Sequence, residues 1–113
     1  MNANKNPTPR GQQTITVSAS PLFSLGYVVA TPGALKLLAD HAVQAVTPLN
    51  RHVHGDWHSM EGEDRLANIA AVQNGSRVFS SYCIDVHKVW VITEAVGDDG
   101  SRASTCILLP SEY

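Results

Sequence analysis

The residues of this chain predict an α+β domain in which two to three helices pack on an antiparallel sheet that ends in a three-stranded C-terminal β-meander. Hydrophobic residues recur at spacings of three and four between helix start and stop signals up to residue 74, then switch to a period of two. Turn residues separate the later runs at hairpin distances. A chain of 113 residues has room for one core. The predicted organisation is a flexible tail over 1–13 and a single domain over 14–113.

The segment 14–18 (Thr-Ile-Thr-Val-Ser) alternates β-branched and polar residues, as a short strand does, and Ser20-Pro21 breaks it. The apolar stretch 22–30, with Tyr27-Val28-Val29 inside it, reads either as another strand or as an extended approach to a helix. Thr31-Pro32 is a helix start: the Thr hydroxyl caps an orphan N–H, and Pro at the first helical position loses no hydrogen bond. The helix runs from 32 to about 42, with Leu35, Leu38 and Ala42 inward and Lys36 and Asp40 outward. Thr47-Pro48 repeats the signal and opens a short helical turn reaching His52, which Gly55 ends. Ser59 is the candidate cap of a helix over 61–74, whose first turn carries Glu61, Glu63 and Asp64 at the positive end of the dipole. Leu66, Ile69 and Ala70 are its expected buried stripe, and Asn74-Gly75 its C-terminal cap.

Residues 77–84, 89–94 and 105–109 are then expected as consecutive antiparallel strands, with the 61–74 helix on one face. Asp85-Val86-His87-Lys88 supplies a hairpin connection, and Asp99-Gly100 a positive-φ pair in the longer one. Pro110 ends the last run, which reads as an edge strand. Tyr113 is expected to dock on the core in preference to a partner, and Trp57 and Trp90 to be largely buried. Barnase-type and RelE-type ribonucleases share this order of elements, a likeness of fold that says little about activity.

At 43% hydrophobic and 16% charged the composition argues against a disordered chain, and no run of about 18 apolar residues is present to span a membrane. Residues 1–13 lack the apolar core of a secretory signal, so a cytoplasmic protein is expected. The formal net charge is −2 and Lys and Arg are scattered singly, which disfavours nucleic acid as a partner. Cys83 and Cys106 read as small buried hydrophobes, with a cross-strand pair as the alternative.

The densest chemistry lies in Arg51-His52-Val53-His54-Gly55-Asp56-Trp57-His58, with Glu61 beyond it. Imidazoles and carboxylates are ligands for transition ions, but His52, His54 and His58 follow no ligand spacing, so no metal and no cofactor is expected. Asp56 capping a turn that Gly55 permits, with Trp57 anchoring the loop, accounts for the same residues as structure.

Five short segments together carry a resemblance: Arg51-His52-x-x-Gly55-Asp56-Trp57, Asn68-x-x-Ala71, Gly75-x-Arg77-x-x-Ser80-x-Tyr82, Trp90-x-Ile92-Thr93-Glu94 and Leu108-Leu109-Pro110-x-Glu112-Tyr113. Over residues 22–113 the chain resembles a family of small proteins encoded on plasmids, integrative elements and phages. The resemblance brings no enzymatic activity with it. His58 stands where the family pattern has Gly, and the loop 95–104 departs from a compact Asp-Arg-Ser, leaving Arg102 and Ser104 as counterparts. The resemblance implies roles for His52, Asp56, Trp57, Arg77, Tyr82, Glu94 and Arg102, but not for His54 or His58.

Two functions follow as expectations. The favoured one is an accessory protein of a mobile element that binds a host protein or protein complex stoichiometrically, such as an anti-CRISPR or anti-restriction inhibitor, with Arg51, His52, Asp56, Trp57 and Tyr82 as candidate binding residues. The alternative is a toxin-like endoribonuclease, in which Glu94 is the base, His52 the acid, and Arg77 and Arg102 hold the phosphorane. Structural ion pairing, Asp56 with Arg51 or Arg77 and Glu94 with Arg77 or Arg102, competes with both.

Overall fold

The Thr31 hydroxyl accepts from Ala34 N at 3.2 Å and opens the helix α1, Pro32–Asp40. The computed structural model describes residues 20–113. The tail 1–13 and the strand expected at 14–18 lie outside the described residues.

The described chain runs β1 (Tyr27–Ala30), α1, α2 (Val46–Val53), α3 (Gly62–Asn74), β2 (Val78–Ile84), β3 (His87–Thr93), β4 (Ser104–Leu108) and a terminal 3₁₀ turn (Pro110–Glu112). Strands β2, β3 and β4 form the expected antiparallel meander, with Ile84 opposite His87 and Thr93 opposite Thr105. The sheet as a whole is mixed. Of the stretch 22–30 only Tyr27–Ala30 is a strand, and it runs parallel to β4, giving the order β1-β4-β3-β2. Strand β4 is therefore interior to the sheet and not an edge: a strand pair built from distant segments leaves no trace in local pattern.

One sheet face carries Val78, Ser80, Tyr82, Ile84, Val89, Val91, Thr93, Thr105 and Ile107, all buried. Ala34 and Leu38 of α1 cover part of it, so the α1 stripe is 34/38 rather than 35/38/42. Leu35 is exposed, and the helix stops at Asp40 because Ala42 takes the left-handed conformation at φ 55°. Helix α2 starts two residues before Pro48, flanked by Ala45 and not by Thr47. Pro48 then sits in the first turn, where its missing N–H has no intrahelical partner to lose. Likewise Glu61, not Ser59, flanks the start of α3.

The largest departure concerns α3. Its buried residues are Asn68 and Ala71, whereas Leu66, Ile69 and Ala70 face outward. The cause is the edge of β2. The Asn68 side chain donates to Phe79 O at 2.5 Å and accepts from Phe79 N at 3.0 Å, completing that edge peptide as a neighbouring strand would. Small Ala71 then lets the helix approach Val78, in a cluster with Trp57. Gly75, at φ 82°, forms the expected left-handed cap, its N–H bonding to Ala71 O.

The second sheet face buries Ile92 and Leu108 but is otherwise open. Phe79, Ser81, Trp90 and Cys106 are only partly buried and Cys83 is exposed, so the two thiols are free and neither is a core residue. Phe79 meets Trp90 edge-on at 5.1 Å, and Tyr113, itself 70% exposed, meets Trp90 at 5.7 Å. The chain end is held there by Glu112, whose carboxylate accepts from the Thr31 hydroxyl, from Gly33 N at 3.1 Å and from Leu109 N at 2.9 Å. Those bonds, the Thr31 one first, hold the Glu112 carboxyl below its ordinary range.

Candidate functional site

The last turn of α2 delivers Arg51 and His52, and Gly55 at φ 75° turns the chain so that Asp56 N bonds back to Arg51 O at 2.9 Å. That turn brings Asp56 Oδ2 to 2.6 Å from Arg51 Nε, the pairing expected as one of two alternatives. The guanidinium lies 4.3 Å from the centre of the Tyr82 ring. The Arg51 hydrogen bond holds the Asp56 carboxyl below its usual range.

His52 is fully buried within a chain of hydrogen bonds whose direction its two ends dictate. Trp57 Nε1–H can only donate, and it donates to Ser80 Oγ at 2.8 Å. At the far end Leu25 O can only accept, and it accepts from Thr105 Oγ1 at 2.7 Å. Thr105 therefore accepts from Thr93, at 2.6 Å, and Thr93 accepts from His52 Nε2–H, at 2.8 Å. The remaining ring nitrogen, Nδ1, accepts from Ser80 Oγ at 2.5 Å. This order requires the neutral ring with its proton on Nε2. A second proton on Nδ1 would leave the Ser80 hydrogen without its acceptor. Burial, and secondly the charge of Arg102, push the His52 pKa down to about 4.

Arg102 is buried too, and its guanidinium binds three backbone carbonyls: Ser76 O at 2.7 Å, Glu94 O at 3.0 Å and Ala71 O at 3.0 Å. Ala71 O belongs to the last turn of α3, where a cation complements the helix dipole. Phe23 lies between the two buried groups, its ring centre 5.1 Å from that of His52 and 5.5 Å from the Arg102 guanidinium carbon. Arg77 is exposed and donates to the Tyr113 hydroxyl at 2.8 Å, and Glu94 is exposed, joined to Arg102 through its carbonyl rather than its carboxylate. The structure thus joins Arg51, His52, Asp56, Trp57 and Tyr82 in one packed unit against β2. It separates the proposed acid, base and cations between an interior chain, a carbonyl clamp and the surface. Among the described residues no three His, Cys, Asp or Glu side chains converge as a metal site. His54 and His58 are both exposed, His58 Nε2 lying 3.8 Å from Asp56 Oδ1.

The hydroxyl partners Ser80, Thr93 and Thr105, and the edge-binding Asn68, were not read from the sequence as parts of this unit. A Ser inside the inward-facing series Val78, Ser80, Tyr82, Ile84 was the available signal, because a buried hydroxyl requires a partner. Tyr82 OH is the buried side-chain polar atom that lacks a hydrogen-bond partner among the described residues. Tyr82→Phe is accordingly expected to raise stability by about 1 kcal/mol, read from the denaturant midpoint. A midpoint lower than the parent's would show that the hydroxyl is bonded in solution.

Two surfaces beside α3 remain uncommitted. The first is a groove of about 420 Å³ between the start of α3 and the open sheet face, with Met60, Asp64, Phe79, Cys83, Lys88 and Trp90 in its walls. The second is the outer stripe of α3, where Leu66 is 66% and Ile69 48% exposed. No helix among the described residues is long and apolar enough to cross a membrane. Comparison of the chain with protein-family models, curated proteins and solved structures finds no match.

Proposed function

We propose that this protein acts by stoichiometric binding to a host protein or protein complex, as an accessory factor of a mobile genetic element, with inhibition of a host defence system as its role. The observation that carries this reading is the outer stripe of α3. Leu66, Ile69 and Ala70 recur at the spacing of a packed helix face, yet they point to solvent while Asn68 and Ala71 hold the helix to the sheet. An apolar helix stripe left in solvent has use for a partner. The groove beside its first turn is a separate open surface on the sheet side of the helix, and its aromatic floor suits a protein interface. The motif resemblance to proteins of plasmids, integrative elements and phages supports the biological setting. The ribonuclease alternative asks a fully buried, neutral His52 to act as an acid on RNA, with Glu94 and Arg77 on the surface and Arg102 bound to carbonyls.

The test is affinity capture from host extract by the parent and by a Leu66→Asp/Ile69→Asp variant. Both side chains are about half or more exposed, so the variant is expected to keep the parent's denaturant midpoint within about 0.5 kcal/mol. The parent is expected to retain one host protein in equimolar amount, and the variant to lose at least about tenfold in affinity. Equal capture by both would overturn the assignment of the surface. Degradation of RNA by purified parent, lost in folded His52→Gln and Glu94→Gln variants, would replace the binder with the nuclease.

A further inference from the structure

The two edges of the sheet are treated differently. At β2 the outer peptide of Phe79 is occupied by the Asn68 amide. At β1, among the described residues, nothing pairs with the outer edge. Tyr27, Val28 and Val29 are 84%, 45% and 52% exposed, three consecutive side chains of high β-propensity. The strand carries no charge, and it has no Pro or bulge within it, the devices that normally keep an edge from pairing.

We infer that β1 pairs with β1 of a second copy of this chain, antiparallel about a two-fold axis midway between Val28 and the partner subunit's Val28, joining the two sheets edge to edge. The register follows from bonds already made. Tyr27 N donates to Ala103 O and Thr31 N to Ile107 O, both toward β4. Successive peptide groups of a strand point to opposite sides, so Val28 and Ala30 turn their N–H and C=O outward. An axis perpendicular to the sheet keeps the helix-covered faces on the same side and requires residues of like parity to pair. Placed there, it lets Val28 and the partner subunit's Val28 exchange two hydrogen bonds. Tyr27 then lies opposite the partner's Val29, and Val29 opposite the partner's Tyr27. Both are aromatic to β-branched pairs, the favourable kind across an antiparallel ladder. The strand is thus its own complement: it offers no charge pattern to select a foreign strand, and the two-fold arrangement closes without leaving a further edge of the same kind.

This inference does not rest on the binding surface of α3. Sedimentation velocity of the full chain, from micromolar to about 1 mM, is expected to show a concentration-dependent dimer at the weak end of protein association. Amide exchange provides the register: protection of Val28 and Ala30 is expected to rise with concentration, while that of Val29, turned toward β4, stays constant. Val28→Lys places a charge on the edge and Val28→Pro removes its outward donor, and each is expected to weaken the dimer at least about tenfold with little change in monomer stability. Leu66→Asp is expected to leave it intact. A parent that stays monomeric throughout overturns the inference, as does a dimer that survives both Val28 variants or is lost in Leu66→Asp.

Discussion

Lowering the pH from 7 to 5 is expected to cost this protein about 2 kcal/mol of folding stability, rising to about 3 kcal/mol by pH 4, through His52 alone. In the unfolded chain the imidazole has its ordinary value of 6.5; in the fold it is held at about 4. Between those values the unfolded chain takes up a proton that the folded chain refuses, so stability falls with falling pH across that window and is fully present above it. The reason is geometric as well as dielectric. Both ring nitrogens are engaged in a chain running from the Trp57 indole to the Leu25 carbonyl, and that chain has a place for one ring proton. Urea midpoints at pH 7 and 5 measure the effect, at a pH where most carboxylates are still ionised. His52→Gln, which offers an amide N–H donor and a carbonyl acceptor but does not titrate, is expected to be less stable at pH 7 and to lose this dependence. Equal slopes for parent and variant between pH 7 and 5 would mean that His52 is protonated in the fold.

Trp57→Ala is expected to cost about 3–5 kcal/mol, the range for emptying a large aromatic site in a core. The ring is 4% exposed and packs with Ala71 and Val78, with Phe23, Met60 and Val72 around them. It holds the turn after α2 and the body of α3 against β2 at once, so its loss loosens two connections. It also supplies the terminal donor of the buried chain, through Ser80. Trp57→Phe separates the two contributions: it retains most of the packing and is expected to lose about 1 kcal/mol beyond the reduced volume, for the missing hydrogen bond. Chemical denaturation at neutral pH measures both. A Trp57→Ala midpoint equal to the parent's would place the ring at the surface and make it an interface residue.

The sequence by itself determined the elements that are punctuated locally. Thr31-Pro32 opens α1, Asn74-Gly75 closes α3, and the two-residue alternation over 77–84 and 89–94 specifies a hairpin because its period matches the pleat, although His87 and Lys88, expected in the connection, belong to β3 and the turn is Asp85-Val86 alone. The Arg51-x-x-x-x-Asp56 pair was legible for a similar reason, since both partners lie within one turn.

What only the tertiary structure decided is which apolar face would be used and what the charged and polar residues would be for. Periodicity marked Leu66, Ile69 and Ala70 as the buried side of α3, but it does not register that an unpaired edge peptide at Phe79 needs an amide more than the helix needs its leucine covered. His52, Glu94, Arg77 and Arg102 are the right types for acid–base chemistry on a phosphate. Their meaning changed once the fold placed one in a hydrogen-bonded interior chain, one around three carbonyls and two at the surface. Residue types state what chemistry is available. Which of it is reached by solvent depends on contacts between Leu25, Thr93 and Thr105, and on a parallel pairing of β1 with β4, all made between segments that local pattern does not connect.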